Sequence, residues 1–305
     1  MPAPVYKIAI IQMHPKPLDI EANHAIAVRY IRQAAAQSCN LAVLPEYHLT
    51  SWVPDSPDFI TLCAKSQTYL SAYCSLAASL NINIVPGTIV EKHGPSLHNI
   101  AYFISSTGVI LGRYQKKNLW HPERPHLTSS THEPHVAFDT PLGKVGLLIC
   151  WDLAFPEAFR ELIAQGAKLI IVPTFWTLAD CSEAGLKRNP LAEELFLESL
   201  CVARAFENTC AVVFVNAGGE EREDEGEGDK NGEGGRGIWC GGSQVAVPFE
   251  GARGKMGWRE GMGVVDVDME ILEEAEENYK VRQDMGREGW HYEYSLKRDQ
   301  SNQTS

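Results

Sequence analysis

The chain reads as an α/β protein. Apolar runs of strand length alternate with amphipathic stretches of helical period, some of those runs stop abruptly at polar or reactive residues, and no Pro/Ser/Gly linker or internal repeat divides the series. Together these features predict one domain over residues 1–296, followed by a polar tail at 297–305.

The elements follow from the pattern in order. Tyr6 to Met13 is a strand, and Asp19 is placed to cap a helix carrying Ile20, His24, Ala27, Val28 and Ile31 on one face. Leu41 to Leu44 is the next strand. A single helix from about Leu62 to Leu80 leads to a strand at Ile82 to Val85, and Ile100 to Ser105 forms a hairpin with Val109 to Gln115 across Ser106-Thr107-Gly108. Val145-Gly146-Leu147-Leu148-Ile149 reads as a buried strand, and Phe155-Pro156-Glu157 opens a helix with Phe159, Leu162 and Ile163 inward. Beyond it come a strand at Leu169 to Val172, a helix from near Pro190 to Glu207 and a strand at Ala211 to Val215. Ser243 to Pro248 is expected to pair with Gly263 to Val267, and Glu270 to Tyr279 is the last predicted helix.

Composition narrows the function classes. The formal charge is −12, but residues 220–233 alone hold eight acids and two bases, so the remainder is only mildly acidic. That Glu/Gly/Asp tract, about 218–237, cannot bury a core and reads as a mobile surface insertion. No basic stripe suits nucleic acid, and no apolar run reaches the ~20 residues a membrane helix needs. The N-terminus enters a strand pattern without a signal-peptide layout, and eight cysteines without CxxC pairs suit a reducing compartment. A cytoplasmic protein with free thiols is expected.

Cys150 ends its apolar run and is followed at once by Trp151-Asp152, a change of direction that presents a side chain at the carboxyl end of a strand. Buried cysteines are usually structural, and Cys39, Cys63, Cys74, Cys181, Cys201, Cys210 and Cys240 read that way. Two further strand ends separate Cys150 from that group. Leu41 to Leu44 stops at Pro45 and Glu46; Val109 to Gln115 stops at Lys116-Lys117, either of which can reach the same edge. A carboxylate, a cation and a thiol are the minimum set for acyl transfer at a carbonyl or nitrile carbon. Tyr47 and Trp52, which follow Glu46, and Phe175 and Trp176, just past the strand Leu169 to Val172 and its Pro173, are candidates to line a pocket or, equally, to pack in the core.

Leu44-Pro45-Glu46-Tyr47, Tyr114-Gln115-Lys116-Lys117, Gly146-Leu147-Leu148-Ile149-Cys150-Trp151-Asp152 with Phe155-Pro156-Glu157, Arg204-Ala205-Phe206-Glu207-Asn208 and Gly242-Ser243 together resemble the nitrilase superfamily of carbon-nitrogen hydrolases. The resemblance spans nearly the whole chain. It implies a four-layer αββα sandwich of two mixed sheets flanked by helices, which dimerises by stacking sheets, with higher homo-oligomers open. It also implies Glu46 as general base, Lys117 as cationic stabiliser and Cys150 as nucleophile. Glu123, preferred over Glu133, matches a second glutamate, and the Trp151 N–H is assigned to the oxyanion. Cys-Trp-Asp, rather than Cys-Trp-Glu, resembles the amidase and carbamoylase branches. Ala154 stands where several small-amide branches have Arg, so their particular substrates do not transfer. The expected activity is hydrolysis of an amide or N-carbamoyl compound to acid and ammonia through a thioester, without cofactor or metal. Its alternatives are nitrile cleavage and a non-catalytic binding protein on the same fold. His121, His126, His132 and His135 raise zinc as a rival chemistry, but no ligand spacing there completes a recognised site.

Overall fold

In the computed structural model, residues 3–220 and 236–289 are described. Most of the acidic tract and the 297–305 tail lie outside them, as do Trp290, Tyr292 and Tyr294, aromatic residues that the sequence offers equally for a subunit contact or for burial within the monomer.

Alternation along the first strand determines the layering. In β1 (Val5–Gln12), Ile8 and Ile10 point into an apolar cluster shared with the second sheet, while Ala9 and Ile11 point the other way, toward helices. β2 (Leu41–Val43) and β3 (Asn83–Val85) continue β1 in parallel, with Ile8 opposite Leu41 and Leu41 opposite Asn83. β4 (Thr88–His93), β5 (Ser96–Ile104) and β6 (Ile110–Gln115) extend the sheet antiparallel, so it is mixed. β4 has no counterpart in the elements read from sequence.

Two helices cover the outer face of this sheet. α1 (Ile20–Ala36) begins where Asp19 accepts a hydrogen bond from the Ala22 N–H at 3.1 Å, and Ile31 and Ala34 pack with Tyr73 and Ala77. The single helix expected over Leu62 to Leu80 is two, α2 (Pro57–Cys63) and α3 (Ser66–Leu80). Ser56 caps the first, and ψ relaxes to −15° at Ala64 and 0° at Lys65, which ends one ladder before the next begins.

The second sheet repeats the plan. β8 (Gly143–Leu147), β9 (Leu169–Pro173) and β10 (Ala211–Val215) are parallel, flanked by antiparallel β7 (Phe138–Thr140), β11 (Gln244–Val247) and β12 (Gly251–Arg253). α4 (Pro156–Ala164), α5 (Glu183–Arg188) and α6 (Ala192–Asn208) follow its strands, and Phe159, Leu162, Leu197 and Cys201 pack into its core. Two mixed sheets thus face one another with helices outside. The hairpin expected between Ser243 to Pro248 and Gly263 to Val267 does not form. β11 turns back on β12 instead, and β13 (Gly261–Asp268) crosses to the first sheet, where all eight of its residues register against β1 from Val5–Asp268 to Gln12–Gly261. That pairing buries Val265 and Val267, a gain that a local hairpin on the second sheet would forgo. α7 (Glu270–Tyr279) matches its prediction, and α8 (Val281–Met285) follows it. Among the described residues no helix is long and apolar enough to cross a membrane.

Phe103 on β5 is fully buried between the sheets, with its ring 5.9 Å from that of Phe138. Phe103→Ala is expected to lower the unfolding free energy by about 3–5 kcal/mol, read from urea denaturation. A loss below about 1 kcal/mol would contradict close packing between the sheets.

Candidate active site

The carboxyl ends of the parallel strands of both sheets converge, and the chain crosses between them there. The Glu46 N–H donates to the Thr174 carbonyl at 3.3 Å, tying the loop after β2 to the loop after β9. The Phe175 N–H returns a bond to Glu46 Oε2 at 2.9 Å, and Asn99 Nδ2 on β5 donates to Oε1 at 2.8 Å. Glu46, three residues past its strand, is thereby held rigidly with no exposure to solvent.

The cation beside it is Lys116. Its Nζ lies 2.8 Å from Glu46 Oε1 and 2.7 Å from Glu123 Oε1, with all three side chains buried. The sequence assignment to Lys117 is corrected here. Lys116 still takes part in the strand pairing, its N–H donating to Asn99 O at 2.9 Å, so its side chain shares the inward side with the partners of Glu46. Lys117 is partly exposed, its N–H on the Tyr114 hydroxyl at 3.2 Å and its carbonyl on Ser129 Oγ at 2.5 Å. Successive side chains at a strand end face opposite ways, and a Lys-Lys pair does not reveal which one turns in.

Glu123 sits where the resemblance implies. A short 3-10 turn, His121–Glu123, brings it in; Trp120 N–H donates to Oε2 at 2.8 Å, and the Tyr47 hydroxyl makes a very short bond to Oε1. Glu133 stays exposed.

Cys150 begins a 3-10 turn, Cys150–Ala154, three residues past β8, and adopts φ +47°. A left-handed conformation in a residue with a Cβ costs about 1–3 kcal/mol and persists only where its surroundings enforce it. Asp152 enforces it. Its Oδ2 accepts from Ile149 N at 2.9 Å and the Tyr114 hydroxyl at 2.8 Å, and its Oδ1 accepts from Asn118 N at 3.1 Å and Nδ2 at 2.8 Å. The carboxylate that the sequence reading tied to substrate class is therefore internal, fastening the Cys150 turn to the segment that carries Lys116.

Electrostatics follow from burial. Burial raises the Glu46 carboxyl to about 7, with the Lys116 charge opposing the rise and Glu123 adding to it. Burial also works against the charge on Lys116, but Glu123 and Glu46 outweigh it and hold the ammonium well above its ordinary range. The Cys150 thiol is pushed well above its usual range, by burial first and then by Glu46. Burial thus favours the uncharged form of the thiol and raises the proton affinity of the carboxyl group beside it.

Above this cluster opens a cavity of about 210 Å³ with Cys150 and Glu123 in its lining. Tyr47, Trp52, Phe175 and Trp176 all line it, as the sequence suggested. Tyr47 stacks on Trp52 at 4.7 Å, and Trp151 meets Trp176 at 5.3 Å. Trp120, Trp151, Thr177, Asp180 and Ile238 also contribute, and Asn99 and Tyr114 support the site from behind. Sequence reading named Trp151 and Tyr114 for other reasons and missed Trp120, Thr177, Asp180, Ile238 and Asn99, which carry no signal in the strand-end pattern. Among the described residues no three His, Cys, Asp or Glu side chains converge as a metal site. His126 lies near Trp52, while His135 stacks on Tyr114.

Removing the shared cation would leave two buried carboxylates in contact. Lys116→Met is expected to cost about 3–5 kcal/mol in urea denaturation at about pH 8, from the loss of a buried partner. Lys117→Met should stay within about 0.5 kcal/mol of the parent, as for an ordinary surface change. Equal losses would contradict this division of roles.

The carbon-nitrogen hydrolase family pattern matches residues 7–277. A probable nitrilase of Schizosaccharomyces pombe is 31% identical over 222 residues, covering 71% of this chain and 76% of its own. An omega-amidase of Homo sapiens is 25% identical over 287 residues, covering 90% and 93%. A carbon-nitrogen hydrolase from Helicobacter pylori G27 superposes with a TM-score of 0.79 at 22% identity, covering 92% of this chain and 94% of that one. An amidase variant from Nesterenkonia sp. AN1, carrying the acetamide moiety of fluoroacetamide on its active site cysteine, gives 0.69 at 24%, covering 91% and 96%. With the family match extending over almost the entire described chain, this protein belongs to the carbon-nitrogen hydrolase family of the nitrilase superfamily.

Proposed function

We propose that the protein hydrolyses the C–N bond of a small amide through a thioester on Cys150. The observation that carries this reading is the placement of Glu46, Lys116 and Glu123 as one buried cluster around a strained thiol at the base of a closed-in cavity. The amide is preferred to the nitrile because Cys150-Trp151-Asp152 resembles the amidase and carbamoylase branches, a preference supported by relatives named as a 2-oxoglutaramate amidase and an omega-amidase, whereas relatives named nitrilase favour the alternative.

In the proposed sequence Glu46 takes the thiol proton as sulfur attacks the carbonyl carbon, and the carbonyl electron pair moves to oxygen. The Lys116 ammonium offsets the negative charge as it develops, and the Trp151 N–H donates to the oxyanion, a type of contact worth ~10²–10³-fold in other enzymes. The pair returns, the C–N bond breaks, and Glu46 hands its proton to the departing nitrogen. Water then gives a proton to Glu46 and attacks the thioester. Collapse of that second adduct breaks the C–S bond, the acid leaves, and the Cys150 thiolate takes its proton back from Glu46. Glu123 keeps Lys116 in place and assists in orienting that water.

Ammonia release across a panel of amides, carbamoyl compounds and nitriles tests the reading. Cys150→Ala should lower turnover by at least about 10³-fold, and retained turnover would refute the nucleophile assignment. Because Glu46 must be ionised to accept the proton and its carboxyl is raised to about 7, kcat/KM should fall on acidification through that value. The slope below it is expected to be roughly tenfold per pH unit. A profile flat down to about pH 5, where an ordinary glutamate remains ionised, would exclude Glu46 as that base.

A further inference from the structure

The cavity that receives the substrate carries an unbalanced charge. Two carboxylates line it, Glu123 and Asp180, and among the described lining residues there is no Lys, Arg or His. Glu123 is neutralised by Lys116 at 2.7 Å. Asp180 has no cationic partner among the described residues; its Oδ2 accepts from Thr177 N at 2.7 Å and Thr177 Oγ1 at 3.0 Å. Burial raises its carboxyl above the ordinary range, and the nearby Glu193 adds to the effect. The remaining wall is largely aromatic, and ring faces attract cations while offering nothing to an anion.

We infer that the acyl portion of the substrate ends in a cationic group, such as a primary ammonium, seated against Asp180 between aromatic rings, and that carboxylate-bearing amides are disfavoured. This rests on the amide-hydrolysis reading and adds the substrate's charge to it. The cavity, about 210 Å³, is below the ~300–1,000 Å³ of pockets for drug-sized ligands, so the chain between amide and cation is short. The inference also separates this chain from the relatives named for 2-oxoglutaramate and omega-amides, since a substrate carboxylate would meet Asp180 with no cation in the described lining to receive it.

Three small amides isolate the charge: 5-aminopentanamide, hexanamide, in which methyl replaces ammonium, and glutaramate. Against wild type, kcat/KM for 5-aminopentanamide is expected to exceed that for hexanamide by about tenfold or more, with glutaramate lowest. Asp180→Asn, which keeps an acceptor for Thr177, should lower the ratio of the first two by about tenfold. Hexanamide equal to or better than 5-aminopentanamide in wild type, or an unchanged ratio in the variant, overturns the inference while leaving amide hydrolysis intact. Should none of the three be hydrolysed, amide hydrolysis is what fails. The charge preference is then read from binding to Cys150→Ala by quenching of the cavity tryptophans. Tighter binding of 5-aminopentanamide than of hexanamide supports it; equal or weaker binding overturns it.

Discussion

A single ammonium buried between two carboxylates organises this molecule. Withdrawing each ion from water costs several kcal/mol, and attraction compensates only when geometry is tight and the remaining lone pairs are satisfied. Here the partners come from separate parts of the chain: Asn99 on β5, the Phe175 N–H after β9, the Trp120 N–H and the Tyr47 hydroxyl. The cluster therefore forms only once both sheets have docked. The same surroundings set the proton affinity of Glu46, which burial and Glu123 lift while Lys116 prevents the rise from going further.

The conformation of Cys150 depends on a second, adjoining restraint. Asp152 engages four donors, from Ile149, Tyr114 and Asn118, and so couples the left-handed Cys150 to the segment bearing Lys116. Its influence on chemistry runs through that coupling, since its carboxylate is buried and absent from the cavity lining. Thiol, base and cation consequently keep their relative positions without relying on a bound substrate.

The charged cluster and the cavity wall occupy different depths. Glu46 and Lys116 lie behind the thiol in a region closed to solvent, whereas the aromatic rings and Asp180 form the space in front of it.

From the residues alone came the α/β class, most of the strands, the cap at Asp19, the helix Glu270–Tyr279, and Glu46 and Cys150 as candidate site residues, while Glu123 came only from the family resemblance. These were legible because period-two and helical apolar patterns are local, and because the motifs around the strand ends are contiguous. Partnership was not legible. β13 reads as a strand in either sheet, and only the full register against β1 decided where it pairs. Lys116 and Lys117 are the same residue type one position apart, and the choice between them rested on which side chain the pairing with β5 turns inward, a matter of three-dimensional register. Asn99 and Asp180 carry no signal in their own neighbourhoods. Their significance arises from what the two sheets and the 3-10 turns place beside them, because burial and charge compensation are properties of the folded surroundings rather than of the sequence window.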